Sequence, residues 1–288
     1  MAKKKRKQKA LEELTIVDDF MFGAVMSEPK RCKPLLEYIL GVKIERIEYP
    51  DLQKTIDKQY KSKAVRLDVY VADGKGTVYN IEIQTTKKKN LPKRTRYYQG
   101  MIDLNIIDKG EDYTYLKKSY VIFICTYDPF GAGRYVYTFE NQCQEDGSIY
   151  LGDDATKIIL NTEGTVGDIS EDLKDTLDFM AGRKPKGNYA KGLENAVDEV
   201  KESEKWRREY MTLFMRDKEN QRLGKLEQTV TVIRRGQRKL EQGKLEYEEL
   251  IDLANTDITT YSKIVDLIND HPDWDDEDIA DEFFEQEE

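Results

Sequence analysis

The chain has 288 residues, of which 36% are charged, and it carries a formal net charge of −9. It contains no run of about 18 apolar residues and no apolar stretch near its first residue, so we expect a soluble, cytoplasmic protein without a membrane-spanning helix. One histidine and three widely spaced cysteines argue against Ser-His-Asp, Cys-His or HNH-type catalysis and against a zinc site. Any catalysis must therefore use carboxylates, lysines, tyrosines and a metal ion.

A basic segment begins the chain and is predicted to form a flexible arm over residues 1–10. Six of the first nine residues are Lys or Arg, a composition that suits contact with phosphates. A solvated tail or a basic address signal has the same composition, so both remain alternatives.

Two helices and a strand are predicted next. Apolar spacing indicates a helix over residues 14–26, with Thr15 or Asp18 as its N-cap. A second helix, over residues 29–41, starts at a proline and stops at a glycine. A short strand is expected over residues 42–49.

A β-hairpin is the most informative feature of the chain. Residues 65–71 and 78–84 each alternate apolar with polar side chains, as half-buried strands do. The turn between them is rich in glycine, and a three-residue loop at 74–76 suits it. With that loop Asp68 lies directly opposite Glu82, their Cβ atoms about 5 Å apart.

Two carboxylates facing each other point to a metal site, because like charges directly opposite destabilise a sheet unless a cation or a proton offsets them. Mg²⁺ is the obvious candidate, since it commonly takes one or two carboxylates together with waters and phosphate oxygens. Gln84 lies on the same face, two residues beyond Glu82. The alternative is the polar outer face of an ordinary hairpin.

A basic, tyrosine-containing segment follows, and a helix is predicted over residues 93–108. The candidate DNA-binding residues of this region are Lys87, Lys88, Lys89, Lys93, Arg94, Arg96 and Gln99. The helical positions of Arg96, Gln99 and Asp103 share one face, which could border the metal site. The alternative is a surface helix with an ordinary solvated charge run.

The remaining elements complete an α/β core. A buried strand is predicted over residues 119–127, so the order of elements is αβββαβ, with a mixed central sheet flanked by helices. Residues 120–139 indicate a second hairpin and residues 156–164 a further strand. We assign residues 11–180 to this core.

Residues 181–288 are predicted to be helical, with an acidic tail. Heptad spacing of Leu226, Ile233 and Leu240 favours a helical pair used for dimerisation, although glycines argue against one long coiled coil. The tail after residue 270 predicts an amphipathic helix. Its apolar side chains, expected to pack on the preceding helices, are Trp274, Ile279, Phe283 and Phe284.

Several segments, taken in order, resemble a known group of proteins. They are LTIVDDFMFGAVM, CKPLLEYILG, VRLDVYVAD, VYNIEIQ, KRTRYYQGMIDL, YVIFICTYDPFG and YTFENQC. The resemblance covers roughly residues 11–215. Together they resemble the PD-(D/E)XK nucleases, and within them the Rpn-like group of recombination-promoting nucleases and transposases. The Asp…Glu-x-Gln element alone is too short to carry this resemblance.

The resemblance implies a restriction-endonuclease-like core in which Asp68 and Glu82 bind Mg²⁺, with Mn²⁺ as a substitute. It also implies that the backbone carbonyl of Ile83 completes the site. An acidic residue from the first helix often joins such sites, which suggests Asp19 or, failing that, Asp18. Either aspartate could equally be a helix N-cap.

Gln84 departs from the superfamily pattern, in which lysine usually stands here, but it resembles the Rpn-like group. Glutamine cannot act as a base, yet it can orient a water. We therefore predict a Mg²⁺-dependent DNA endonuclease with little sequence specificity that promotes recombination or transposition-like DNA exchange. The alternative is a catalytically inactive nuclease fold that serves as a DNA-binding or protein-interaction module.

Overall fold

The structure is a computed structural model that describes residues 9–49, 55–56, 65–66 and 68–287. The predicted basic arm lies outside the described residues except for its last two. The chain forms two compact units, one that ends at Arg207 and one that begins at Arg208.

The first unit holds the predicted core. Its α-helices and β-strands are, in chain order, α1 (Asp19–Met26), α2 (Pro29–Leu40), β1 (Ile47–Glu48), β2 (Thr55–Ile56), β3 (Val65–Arg66), β4 (Val69–Asp73), β5 (Val78–Gln84), α3 (Leu91–Ile106), β6 (Ser119–Cys125), β7 (Val136–Phe139), β8 (Ala155–Asn161), α4 (Glu171–Met180) and α5 (Asn188–Glu202). The predicted αβββαβ order is confirmed by α1 and α2, β1, β4, β5, α3 and β6. The unit extends beyond residue 180 because α5 packs against α1 and α4.

A six-stranded mixed sheet forms the centre of this unit, in the order β1-β4-β5-β6-β8-β7. Strands β5, β6 and β8 run parallel, whereas β4 and β7 run antiparallel to their neighbours. The predicted second hairpin is wrong, because β7 pairs with β8 and not with β6. The apolar strand β8 takes the interior position, and the half-exposed β7 lies at the edge, where a strand needs fewer apolar side chains.

The predicted hairpin register is confirmed. Val69 pairs with Ile81 and Ala72 with Val78, so Asp73 faces Thr77 across a three-residue loop. The Asp73 backbone N–H donates to the Thr77 carbonyl at 2.9 Å, and the Asp73 carboxylate accepts from the Thr77 N–H at 2.9 Å. Because this register continues along the pair, Asp68 lies opposite Glu82. The first predicted strand is interrupted, however, since β4 begins only at Val69.

Strand β5 is buried along its whole length, so the prediction of a half-buried strand is wrong. It lies between β4 and β6 in the interior of the sheet. One face carries Val78, Asn80, Glu82 and Gln84. Helix α3 covers that face, and its Leu91, Tyr98 and Ile102 pack in one cluster with Val121 and Phe123 of β6. The polar side chains of β5 are consequently enclosed.

The second unit is helical, as predicted. It contains most of α6 (Glu204–Glu241) together with α7 (Tyr247–Ala254), α8 (Ile258–Asp270) and α9 (Asp276–Glu287). Its core includes Ile233, Leu250, Ile264, Ile279 and Phe283, with Leu226, Leu240 and Trp274 packed against it. The terminal amphipathic helix is therefore confirmed. The heptad residues contact their own chain, and dimerisation through this region stays a prediction. No helix in the described part of the chain is long and apolar enough to cross a membrane.

Candidate active site

Two carboxylates meet where β4 begins beside β5. The backbone N–H of Asp68 donates to Glu82 Oε1 at 3.1 Å, and the backbone N–H of Ile83 donates to Asp68 Oδ2 at 3.1 Å. Each carboxylate thus accepts from the segment that carries the other. This reciprocal bonding fixes the two side chains against each other without a cation.

Glu82 is almost completely enclosed, with only 2% of its surface exposed. Burial and then the charge of Asp68 raise the pKa of Glu82 well above its ordinary value, although the Asp68 N–H and Arg94 oppose this rise. A proton or a cation can offset the negative charge of two adjacent carboxylates. The pair is therefore a candidate cation site.

Arg94 of α3 reaches this pair from above the sheet. Its Nη2 lies 3.7 Å from Glu82 Oε2 and donates to Tyr98 Oη at 2.9 Å, while its Nη1 donates to Gln84 Oε1. The guanidinium also lies over the rings of Tyr98 and Phe123, at 5.3 and 5.2 Å from their centroids. Burial raises the pKa of Tyr98 to about 12, and the charge of Glu82 adds to this rise, so the hydroxyl stays protonated.

Arg94 is the site residue whose position sequence reasoning missed, because that reasoning placed Arg96 beside the metal. Arg96 is exposed. The signal that could have found Arg94 is its helical spacing, three residues after buried Leu91 and four before buried Tyr98. An arginine on the apolar face of a helix must have a partner on the element it packs against.

Gln84 is held at both ends of its amide. Its Nε2 donates to the Thr86 carbonyl at 2.7 Å, and its Oε1 accepts from Arg94. Each atom keeps one further hydrogen or lone pair for another partner. Asn80, two residues before Glu82, is fully buried, and its amide interacts with the Glu82 carboxyl and opposes the rise in the pKa of that group.

Gln99 does not lie at this site. It is 7% exposed, and its Nε2 donates to Asp103 Oδ1 at 2.9 Å and to Ser119 Oγ at 2.7 Å. Ser119 starts β6, whereas Gln84 pairs with Cys125 at the other end of that strand. The predicted face of Arg96, Gln99 and Asp103 therefore does not border the two carboxylates, and the burial of Gln99 does not fit a contact with DNA.

The basic segment between β5 and α3 is exposed, as a phosphate-binding surface requires. Lys87, Lys88 and Lys89 leave the sheet directly after the strand that carries Glu82 and Gln84, and Lys93 is exposed in the first turn of α3. These lysines therefore lie close in sequence to the carboxylate pair and face solvent.

The two aspartates at the start of α1 differ in their surroundings. Asp18 occupies the N-cap position of α1, but its carboxylate accepts from the Thr15 backbone N–H at 2.8 Å and pairs with Lys9 at 2.7 Å. Asp19 is exposed at the first residue of α1. Within residues 9–49 and 68–287, no three His, Cys, Asp or Glu side chains come together as a metal-binding group, and the role of Asp19 as a metal ligand stays a prediction.

The mixed sheet and the αβββαβ order are those of the restriction-endonuclease-like core predicted from the sequence. Residues 17–147 match the family model of the PD-(D/E)XK nuclease family transposases. This stretch includes every predicted site residue from Asp19 to Gln99. Comparisons with curated proteins and with solved structures gave no match.

Proposed function

We propose that the protein is a metal-dependent DNA endonuclease in which Asp68 and Glu82 hold Mg²⁺, or Mn²⁺ in its place. The observation that carries this proposal is the buried Glu82 carboxylate, hydrogen-bonded reciprocally with Asp68 inside the stretch that matches the nuclease family. The donor set fits a hard divalent ion, which prefers oxygen ligands and offsets two adjacent negative charges.

We infer that the backbone carbonyl of Ile83 supplies a third oxygen, and the direction of the peptide groups along β5 supports this. Directly before β5, the Thr77 carbonyl accepts from Asp73 of β4, whereas the Gln84 carbonyl at the end of β5 accepts from Thr126 on the other side. A strand residue directs its N–H and C=O toward the same neighbour. Since the Ile83 N–H donates to Asp68, the Ile83 carbonyl also faces the side of the carboxylate pair.

Each residue of the site has its own role in phosphodiester hydrolysis. When bound, a divalent ion lowers the pKa of its water and stabilises negative charge on the phosphate. Gln84 orients the attacking water through the part of its amide that Arg94 and Thr86 leave open. Asp68 and Glu82 hold their position through the backbone bonds between them, so little reorganisation is needed.

DNA is held chiefly by its backbone. Lys87, Lys88, Lys89, Lys93 and Arg96 contact phosphates, and Gln99 supports α3 instead of touching DNA. Phosphate contacts carry no sequence information by themselves. An enzyme that holds DNA chiefly through its phosphates therefore cleaves with little sequence specificity. In the cytoplasm, such an activity would serve recombination or transposition-like DNA exchange, as in the Rpn-like group.

The test of this function is nicking of supercoiled plasmid by the purified full-length chain. With Mg²⁺ the protein should convert the plasmid to open circles, and EDTA should stop the reaction. Glu82→Ala should reduce the rate by more than about 100-fold, since even residues that only support a metal ligand are worth 10–100-fold. Equal nicking by Glu82→Ala would reveal a contaminating nuclease. Salt-sensitive DNA binding without cleavage would instead favour the inactive-module alternative.

Neutralising the three adjacent lysines should weaken DNA binding and its dependence on salt. Replacing Lys87, Lys88 and Lys89 with glutamine removes three phosphate contacts, so the slope of log K against log salt should become shallower by about 2.7. The matched control replaces the three exposed lysines Lys184, Lys186 and Lys191, and it should leave the slope unchanged. Fluorescence anisotropy with a labelled duplex at several salt concentrations measures both, and an equal change in both triple variants would refute a localised DNA contact.

A further inference from the structure

Arg94 has two different sets of partners. It pairs with the Glu82 carboxylate, and it is anchored independently by the Tyr98 hydroxyl, the Gln84 amide oxygen and the rings of Tyr98 and Phe123. The Nη2 to Glu82 distance of 3.7 Å exceeds that of a hydrogen bond, whereas its bond to Tyr98 is 2.9 Å. The contact with Glu82 is therefore the looser one and is mainly electrostatic.

The two oxygens of Glu82 have different surroundings. Oε1 accepts from the Asp68 backbone N–H, while Oε2 faces the Arg94 guanidinium. A cation that binds Glu82 through Oε2 must therefore share the oxygen with Arg94 or displace it. Two positive groups this close repel each other, and burial strengthens that repulsion because the local dielectric is low.

We propose that Arg94 is a built-in cation that competes with the divalent metal for Glu82. In the metal-free protein it offsets part of the negative charge of the carboxylate pair, and it gives up Glu82 when the metal binds. This inference rests on the proposed metal site and deepens it, since it makes one residue of the chain a determinant of metal affinity.

Arg94 keeps its other contacts after it loses the contact with Glu82. The bonds to Tyr98 and Gln84 and the contacts with two rings do not involve the carboxylate, so they persist when the charge of Glu82 is taken by the metal. The Arg94 side chain is 27% exposed, so part of it is reachable from solvent. When the metal binds, the positive charge of Arg94 becomes available to a phosphate. Metal binding and DNA binding therefore favour each other.

The test is calorimetric titration of the full-length chain with Mg²⁺ alone and with Mn²⁺ alone. Arg94→Gln should bind either ion about 10 to 100 times more tightly than the wild type, the range expected from removing one adjacent charge. The matched control is Arg46→Gln, the same change in an exposed arginine that pairs with Glu48 at 2.9 Å. It should change the affinity less than twofold.

A second readout separates competition from a merely structural role. In EDTA, Arg94→Gln should melt at a lower temperature than the wild type, and saturating Mg²⁺ should reverse the order, because the variant gains more from the ion. If Arg94→Gln does not fold, Arg94→Met keeps the aliphatic stem on Tyr98 and Phe123 while still removing the charge, and the same result is expected.

Two outcomes would overturn the inference, and they differ in what else they remove. Equal or weaker metal affinity in folded Arg94→Gln, with clear binding to the wild type, would refute competition and leave the proposed nuclease site intact. No metal binding to either protein, with both folded by circular dichroism, would remove the metal site and the proposed function as well.

Discussion

In EDTA, Glu82→Gln should raise the melting temperature of the first unit, and the gain should be larger at about pH 8 than at about pH 5. Burial and then the charge of Asp68 raise the pKa of Glu82 above its ordinary value of 4.5. The folded protein therefore keeps a proton that the unfolded chain releases. The stability linked to that proton is complete below about pH 4.5 and is lost as the pH rises through the folded-state pKa. Glutamine cannot ionise and escapes this loss.

The melting temperature measures the size of the effect, because each kcal/mol of stability moves it by about 2–4 °C in a compact unit of about 200 residues. Trp206, which contacts Phe20 with ring centroids 6.0 Å apart, reports on the first unit once Trp274→Phe removes the other tryptophan. A lower melting temperature for Glu82→Gln at both pH values would mean that the ion pair with Arg94 outweighs the burial of charge.

The same variant should lose plasmid nicking with Mg²⁺ by more than about 100-fold, since it removes a proposed metal ligand. The substitution then raises stability and lowers activity, as expected when a buried charge that destabilises the fold is retained for function. The matched control is Glu48→Gln on β1, where the side chain is 58% exposed. This change in net charge at the surface should alter stability by less than about 0.5 kcal/mol.

The local geometry of the candidate site could be predicted from the sequence because a hairpin turn determines its own register. The glycines at 74 and 76 allow a three-residue loop, and Gly76 adopts a φ of +84° that other residues avoid. A loop of this length places Asp68 opposite Glu82. No contact from another part of the chain is needed for that inference.

The surroundings of the pair could not be predicted in the same way, because they depend on contacts between distant segments. Alternating polarity in β5 indicated that one face of the strand is exposed to solvent. The parallel neighbour β6 and the helix α3 enclose that face. The order of β7 and β8 likewise depends on which strand is more apolar, not on which follows β6. The choice of Arg94 over Arg96 depends on which face of α3 meets the sheet.

Gly236→Ala should destabilise the second unit, although alanine favours helices over glycine by about 1 kcal/mol. A Cβ at Gly236 would lie 2.0 Å from Leu250 Cδ1 and 2.9 Å from its Cδ2. Leu250 is fully buried in the core formed with Ile233 and Ile264, so it has no free space to move into. Overpacking of this kind costs about 1–3 kcal/mol, which exceeds the gain in helix propensity.

Gly224→Ala is the matched control, because it makes the same change in the same helix where no atom lies within 4 Å of the added Cβ. It should stabilise the second unit by up to about 1 kcal/mol. Fluorescence of Trp274 in a Trp206→Phe background follows this unit, where each kcal/mol shifts the melting temperature by about 4–8 °C. Truncation of the obstacle with Leu250→Ala should make Gly236→Ala neutral or favourable. If both glycine variants shifted the melting temperature in the same direction, the close approach of α6 and α7 at Gly236 would be refuted.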